Sequence, residues 1–466
     1  MLSGVSLSTL EGAWRATLAN SALGRAWAGL RDAVAGRLGS YLPSSGAARV
    51  APLASGLALV ALLFLSPVVS TGKNALLVVI AAALMALHAI SHPPTEDGAT
   101  SLDLPYLVLW AIILVATAAS PFPLASVKGV AKLVIYAMAY VTFRDTFRRG
   151  GARSYLAIGA FLAAALLQAI YGIYQYKIHV APLATWEDAR SAVYVTRVYG
   201  SLLNPNLLGG YLLGSIPLAV AAAITWRKAA RLMAVALAIL GPVALYFTFS
   251  TGAYVALAAE IGVMGLFAFS TTRRDARTWL VSALILAGVA IAVVVAYQHV
   301  GAFHERVARL FTERGDSSNN FRMNVWAGVL PMIRDSWWLG VGIGNDAFRH
   351  AYALYMISGY EALSAYNIFL EWAAEAGVFA TLAFVWLVVA ALARSILAFR
   401  AGVSRPWAAA ACATLVGLMV HGMVDTVFFR PAIELVFWLT LALVAGLYKL
   451  PSAIATASDL PVEENA

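Results

Sequence analysis

GAFHERVARLFTERGDSSNNFRMNVWAGVLPMIRDSWWLGVGIGNDAFRHAYALYMISGYEALSAY, residues 301–366, is the one long stretch of this chain that reads as non-membranous between hydrophobic spans. It carries Arg306, Arg309, Arg314, Arg322, Arg334 and Arg349. On both sides of it the sequence reads as membrane scaffold. Of 466 residues 61% are hydrophobic and 12% are charged. Soluble domains carry about 25% charged residues. A chain with a mean hydropathy of +0.79 cannot cover its surface with polar groups, so it must be an integral membrane protein.

Working outward, a bilayer core needs about 20 apolar residues per helix. Such runs lie at about 51–70, 74–91, 103–120, 127–143, 154–176, 206–226, 231–249, 252–270, 278–300, 367–393, 406–424 and 432–449. Ser250-Thr251-Gly252 splits what would otherwise be one run of twice the needed length. The expected fold is an all-α polytopic membrane protein of about 12 transmembrane helices with a large, partly helical outer loop. Its expected parts are 1–50, a cytoplasmic amphipathic segment; 51–300, helices 1–9 with an outer loop at 177–205; 301–366, the large outer loop; 367–449, helices 10–12; and 450–466, a cytoplasmic tail. Within 1–50, Arg15, Arg25, Arg31, Arg37 and Arg49 alternate with Trp14, Leu18, Trp27 and Leu30, a pattern suited to an anionic membrane face. No cleavable signal pattern is read.

Lys and Arg number 32 against 23 Asp and Glu. In a membrane protein this excess points to orientation rather than to nucleic acid. Arg144, Arg148, Arg149 and Arg153, then Arg227, Lys228 and Arg231, then Arg273, Arg274 and Arg277, then Arg394, Arg400 and Arg405 fall in alternate loops. Loop 91–102, with Glu96 and Asp97 and no basic residue, departs from the pattern. The rule puts both termini in the cytoplasm and loops 177–205 and 301–366 outside. The outward arginines oppose this bias and need another reason: pairing with local carboxylates, or an anionic ligand. The single cysteine, Cys412, excludes an intrachain disulfide.

Several groups of residues carry potential chemistry. Asn204-Pro-Asn206 marks a helix start, and a helix N-terminus favours an anion. Arg197 beside it adds a forked donor for phosphate or carboxylate. Arg322 and Trp326 lie four apart on one helical face. Glu371 and Glu375 lie one turn apart at the start of the tenth span, where carboxylates are functional candidates or partners for outer arginines. His421 and Asp425, four apart, are placed to hydrogen bond, with Arg430 following. Glu260 reads as a buried polar partner for a neighbouring helix or a relay group, and Glu260 and His88 read as the main titratable groups away from helix ends. His88 and His92 have helical ligand spacing, but Pro93 and Pro94 break the helix, and no metal site is expected. The segment Trp337-Trp338-Leu339-Gly340-Val341-Gly342-Ile343-Gly344-Asn345 follows no strand and lacks a placed lysine, so it reads as a tight loop beneath a tryptophan anchor rather than a nucleotide cradle.

The set RVYGSLLNPN, FTFSTGAY, SSNNFRMNVW, LGVGIGN, AYNIFLEWAAEAG and HGMVDTVFFRP resembles the O-antigen ligase and polymerase (Wzy C-terminal) superfamily, over about residues 50–450. RVYGSLLNPN, DSSNNFRMNVW, ALSAY and HGMVDTVFFRP are especially similar to a cyanobacterial-type subgroup described as inorganic-carbon (bicarbonate) transporter B. The resemblance implies a glycosyltransferase that moves a glycan from a polyprenyl-pyrophosphate carrier to an acceptor hydroxyl on a lipid or glycan, without metal or cofactor, at the outer leaflet of the bacterial inner membrane. It implies that Arg197 and Arg322 contact the pyrophosphate; beside them Asn204, Asn206 and Trp326 are expected in that site, and Asn367, Glu375, His421, Asp425 and Arg430 in support. The ligases carry His-Asn where this chain has Tyr366-Asn367, and Ser-Arg-Gly where it has Ser250-Thr251-Gly252. A phenol with a pKa near about 10 is a poor base at neutral pH, so Glu371 becomes the candidate base beside Tyr366. The alternative is a transporter of bicarbonate or another small anion, which would use Arg197 and Arg322 as an entry site. A non-catalytic envelope scaffold is a third reading, in which Arg322→Ala leaves any phenotype intact.

Overall fold

A computed structural model describes residues 46–91, 100–183, 196–270, 317–425 and 430–447, with isolated positions before residue 46. The expected ninth span at 278–300, residues 301–316, the greater part of the amphipathic segment 1–50 and the tail 450–466 lie outside the described residues. Among those described, thirteen α-helices and one 3-10 turn occur, and no strand. They are α1 (Gly46–Leu65), α2 (Thr71–Ser91), α3 (Asp103–Ala118), α4 (Pro123–Arg149), α5 (Gly151–Lys177), the turn Gly200–Leu202, α6 (Pro205–Thr225), α7 (Lys228–Tyr246), α8 (Thr251–Ser270), α9 (Ser317–Asp335), α10 (Asn345–Tyr352), α11 (Ile368–Arg400), α12 (Arg405–Gly422) and α13 (Pro431–Ala445).

Every expected span within the described residues coincides with one of these helices. Seven are long and apolar enough to cross a membrane: α2, α4, α5, α6, α7, α8 and α11, with α3, α13 and the Arg49–Leu65 part of α1 shorter but apolar. Their outward faces confirm the solvent they need. Leu53, Leu76, Leu114, Leu156, Leu232, Leu266, Phe269 and Leu382 are all exposed, an apolar surface that water would not tolerate at this extent. The chain is thus an all-α polytopic membrane protein.

The core is built around α6. Leu207 to Ala223 is buried without interruption. Its small residues let neighbours approach closely: Gly209 faces Ala253 of α8, Gly210 faces His421 of α12 and Gly214 faces Val436 of α13. The chain turns between α7 and α8 at 247–250, with Phe249 at a φ of 50°; of the expected break Ser250-Thr251-Gly252, Thr251 and Gly252 already belong to α8.

Successive connections alternate between two ends. At one end the Ser201 hydroxyl donates to Pro67 O at 2.8 Å, Arg197 Nε to Thr248 O at 3.0 Å and Asn367 Nδ2 to Met423 O at 2.9 Å. At the other, Arg144 pairs with Asp103 at 2.7 Å and Arg153 meets His88 Nε2 at 2.7 Å. Arg394, 3% exposed, donates to the carbonyls of Val444 and Ala445 at the last turn of α13. A cation there satisfies carbonyls that the helix leaves free.

Helices α9 and α10 form a cap at the first end, with a second apolar core of Val325, Val329, Met332, Phe348 and Tyr352 seated against Ala374 of α11. The cap and α11 are joined by a feature that hydrophobicity does not reveal. The helix is broken at Gly377, whose φ of 80° and ψ of −179° are non-helical. The strip 337–342 runs beside the break. Val341 N–H donates to Ala374 O at 2.8 Å, Gly342 N–H to Glu375 O at 3.0 Å, and Val378 N–H to Trp337 O at 2.9 Å. A Cβ at Gly340 would strike the Glu375 backbone, and one at Gly377 the Trp338 carbonyl. The glycines of LGVGIGN therefore serve close backbone approach in a tight loop.

Candidate functional site

At the cap end, α2, α4, α6, α9, α11 and α13 enclose a cavity of about 750 Å³. Arg197, Asn204, Asn206, Arg322, Tyr366, Glu371, Glu375, Asp425 and Arg430 all line it. Residues from four separate stretches of sequence are thus brought to one space.

Local sequence explains how each is held. Asn204 caps α6: its Oδ1 accepts from Asn206 N–H at 2.8 Å and Leu207 N–H at 3.4 Å. Asn367 caps α11 in the same way, accepting from Phe369 and Leu370 N–H at 2.9 and 3.1 Å. Both caps follow the rule that an Asn oxygen replaces the missing intrahelical acceptor. The first turns of α6, α11 and α13 contribute lining residues, so three positive helix ends face the cavity.

The arginines differ in how they are fixed. Arg197 Nε donates to Thr248 O at 3.0 Å and its Nη2 donates to Asn206 Oδ1 at 3.3 Å. The guanidiniums of Arg322, on α9, and Arg430, before α13, make no hydrogen bond or ion pair with any described residue. Pairing with a carboxylate among the described residues therefore does not account for these two; among the outer-loop arginines described, Arg334 does pair, with Asp335 at 3.2 Å.

The carboxyls line the same cavity. Glu371 and Glu375 are each 5% exposed. Glu371 Oε2 accepts the Ala365 N–H at 2.5 Å, and the Glu371 and Glu375 side chains interact with one another. Tyr366 adopts a left-handed backbone with φ of 51°, uncommon for a non-glycine and found at strained functional positions. Burial raises the Tyr366 phenol above its ordinary pKa of 10.0; the Asp425 and Glu371 carboxyls add to this, and Arg322 and Arg430 oppose it.

Three expected site residues stand elsewhere. Trp326 does not line the cavity or stack on Arg322; its indole N–H donates to Ala365 O at 2.8 Å and braces the backbone before Tyr366. Asn367 acts through its cap and its bond to Met423. His421 makes no hydrogen bond to Asp425. Both its ring nitrogens lack partners among the described residues, because the ring lies against Gly210 and Gly252. Residues 426–429 lie outside the described residues. Away from the cavity, Glu260 is 1% exposed and packs on Gly417 of α12. His88 is engaged by Arg153, and no cluster that could hold a metal occurs among the described residues.

The sequence reading missed Lys132, Tyr136 and Glu434, which also line the cavity. Two are charged residues inside apolar helices, and that alone is a signal of function. Lys132, nine residues into α4, corrects the view that Glu260 and His88 are the main titratable groups away from helix ends, whereas Glu434 lies in the first turn of α13.

A family model described as O-antigen ligase matches residues 234–385. The match supports membership of the O-antigen ligase and polymerase superfamily and an O-antigen ligase-like role in polysaccharide assembly. It runs from α7 into α11 and so takes in Arg322, Tyr366, Glu371, Glu375 and the break at Gly377, while Arg197 and Arg430 lie outside it. No curated protein matches the chain.

Proposed function

We propose that the cavity binds a polyprenyl-pyrophosphate-linked glycan and transfers it to an acceptor hydroxyl. The observation that carries this reading is the meeting of Arg197, Arg322 and Arg430 with three helix N-termini in one cavity. Guanidiniums with forked donors and positive helix ends are matched to a diphosphate. In the step itself the acceptor oxygen forms a bond to the anomeric carbon, the bond from that carbon to the phosphate oxygen breaks, and the lipid diphosphate leaves with the electron pair. Arg197 and Arg322 stabilise the charge that develops on it. Glu371, whose carboxyl neighbours that of Glu375, takes the acceptor proton. Tyr366 stays a neutral phenol and orients the acceptor or the Glu371 carboxyl.

Placement in the bacterial inner membrane follows from the same reading. Arg144, Arg149, Arg153, Arg394, Arg400 and Arg405 gather at the end opposite the cavity, which the positive-inside rule puts in the cytoplasm with both termini. The cavity then opens at the outer leaflet, where lipid-linked glycans are used. Lys132 supports a second reading, a small-anion (bicarbonate) transporter. It lies nine residues into α4, about 14 Å along the helix at 1.5 Å per residue. The carboxyls of Glu375 and Glu434 that face it oppose passage of an anion, so transfer is favoured.

The test is the lipid-linked glycan content of a deletion strain, measured by mass spectrometry after complementation. Accumulated polyprenyl-pyrophosphate glycan that wild type clears and Arg322→Ala does not is the expected result. Equal content in the deleted and complemented strains would overturn the transfer reading and leave anion uptake into proteoliposomes to decide for transport.

A further inference from the structure

A second crevice, of about 770 Å³, lies between α8, α11 and α12. Val263, Leu266, Phe267, Leu392, Ile396 and Val416 form its walls. Ser270, Arg400 and Arg405 line it where the three helices reach the end opposite the cap. No acidic residue lines it among those described.

The turn between α11 and α12 brings the two arginines together. Gly402, at a φ of 80°, lets the chain reverse, and Val403 N–H donates to Ala398 O at 2.9 Å. Arg405 Nε donates to Phe399 O at 3.2 Å, and its guanidinium stands 5.8 Å from the centre of the Phe399 ring. Arg400 is exposed, and its guanidinium makes no hydrogen bond or ion pair with a described residue.

The dimensions narrow the occupant. Leu392 lies eight residues before Arg400 and Val416 eleven after Arg405. The apolar walls therefore run about 12 and 16 Å from the arginines at 1.5 Å per residue. One leaflet takes about half of a 30 Å hydrocarbon core. An apolar groove of that depth, with cations only at its polar end, is complementary to an acyl chain that carries a phosphate. A free phosphate would leave the walls uncovered, and an apolar protein segment would leave both guanidiniums unanswered.

We infer that this crevice binds an anionic glycerophospholipid of the surrounding bilayer, with its phosphate on Arg400 and Arg405 and one acyl chain along α8, α11 and α12. Its place in the cytoplasmic leaflet rests on the orientation proposed above; the binding itself does not.

The experiment titrates the full chain in detergent with palmitoyl-oleoyl phosphatidylglycerol and with phosphatidylcholine of the same chains, and reads occupancy by native mass spectrometry. Wild type should prefer phosphatidylglycerol. Arg400→Gln and Arg405→Gln should each weaken phosphatidylglycerol about fivefold and change phosphatidylcholine less than about twofold. Arg231→Gln, at the same end and outside the crevice, and Arg322→Ala, at the opposite end, should change neither lipid. Ile396→Trp fills the groove and should weaken both. Equal affinity of wild type for the two lipids would overturn the site, as would unchanged phosphatidylglycerol binding in both arginine variants or in Ile396→Trp. An equal loss in Arg231→Gln would reduce the effect to general surface charge, and one in Arg322→Ala would move the lipid to the outer cavity; either result overturns the proposal. Cys412 lines the crevice, so ready disulfide formation with cysteines introduced along 278–300 would make that segment the occupant instead. Each of these failures leaves the transfer reading, which is decided by lipid-linked glycan, untouched.

Discussion

The Val378 N–H donates to the Trp337 carbonyl at 2.9 Å, across the break that Gly377 introduces into α11. A transmembrane helix tolerates such a break because backbone groups freed within lipid must find other partners, and strip 337–342 supplies them. Gly377→Ala should therefore be strongly destabilising. Its backbone lies in a region open essentially to glycine, at a cost of about 1–3 kcal/mol for another residue, and its Cβ would collide with Trp338 O. A large drop in the thermal midpoint of the detergent-solubilised protein is expected, and an unchanged midpoint would refute the account.

Arg322 has no protein partner among the described residues, so its removal should spare the fold and remove function. A hydrogen bond to a charged group contributes about 1.5–3 kcal/mol, so Arg322→Ala should reduce transfer by about 10- to 150-fold with the melting temperature unchanged. Arg322→Lys keeps the charge without the fork and should fall between. Wild-type transfer rates in Arg322→Ala would remove this residue from the site.

The Tyr366 phenol is raised by burial, so it is neutral at any physiological pH. Its contribution to stability is complete below its unfolded value near about 10 and is lost as pH rises above that. Tyr366→Phe should leave the shape of the pH–rate profile unchanged between about pH 6 and 9, while lowering its height through lost orientation. A displaced basic or acidic limb in this variant would show that the phenol titrates during turnover.

Trp326 is a brace for the backbone around Ala365. Trp326→Phe keeps the ring and loses one hydrogen bond, which costs about 1 kcal/mol. A small fall in thermal stability and a moderate loss of transfer are expected, with binding of sugar-free polyprenyl pyrophosphate close to wild type. Abolished binding of that lipid would instead return Trp326 to the anion site.

The membrane architecture was legible because it rests on continuous apolar length, which survives without knowledge of neighbours. Asn204 and Asn367 were legible as caps or as part of a motif for a similar reason: the interaction is local. What stayed hidden depends on the third dimension. Lys132 and Glu434 sit in apolar runs where hydropathy averages them away, and the sequence does not tell a cavity wall from a buried face. His421 and Asp425 have the spacing of a bonded pair, yet packing against Gly210 and Gly252 fixes the imidazole elsewhere. The break at Gly377 was masked by the apolar residues on either side.

The interruption of α11 has a mechanical meaning. The short rung that carries Glu371 and Glu375 is laced by its carbonyls to strip 341–342, and through Ala374 it joins the core of α9 and α10. Its continuity with the long bilayer-crossing half is lost at Gly377. The acidic groups are thus held against the cap, the strip also grips the long half through Val378 N–H and Trp337 O, and Arg197 is tied instead to Thr248 and Asn206. The spacing between the acids and Arg197 is therefore fixed across the seam between cap and bundle, whereas Arg322 shares the cap with them.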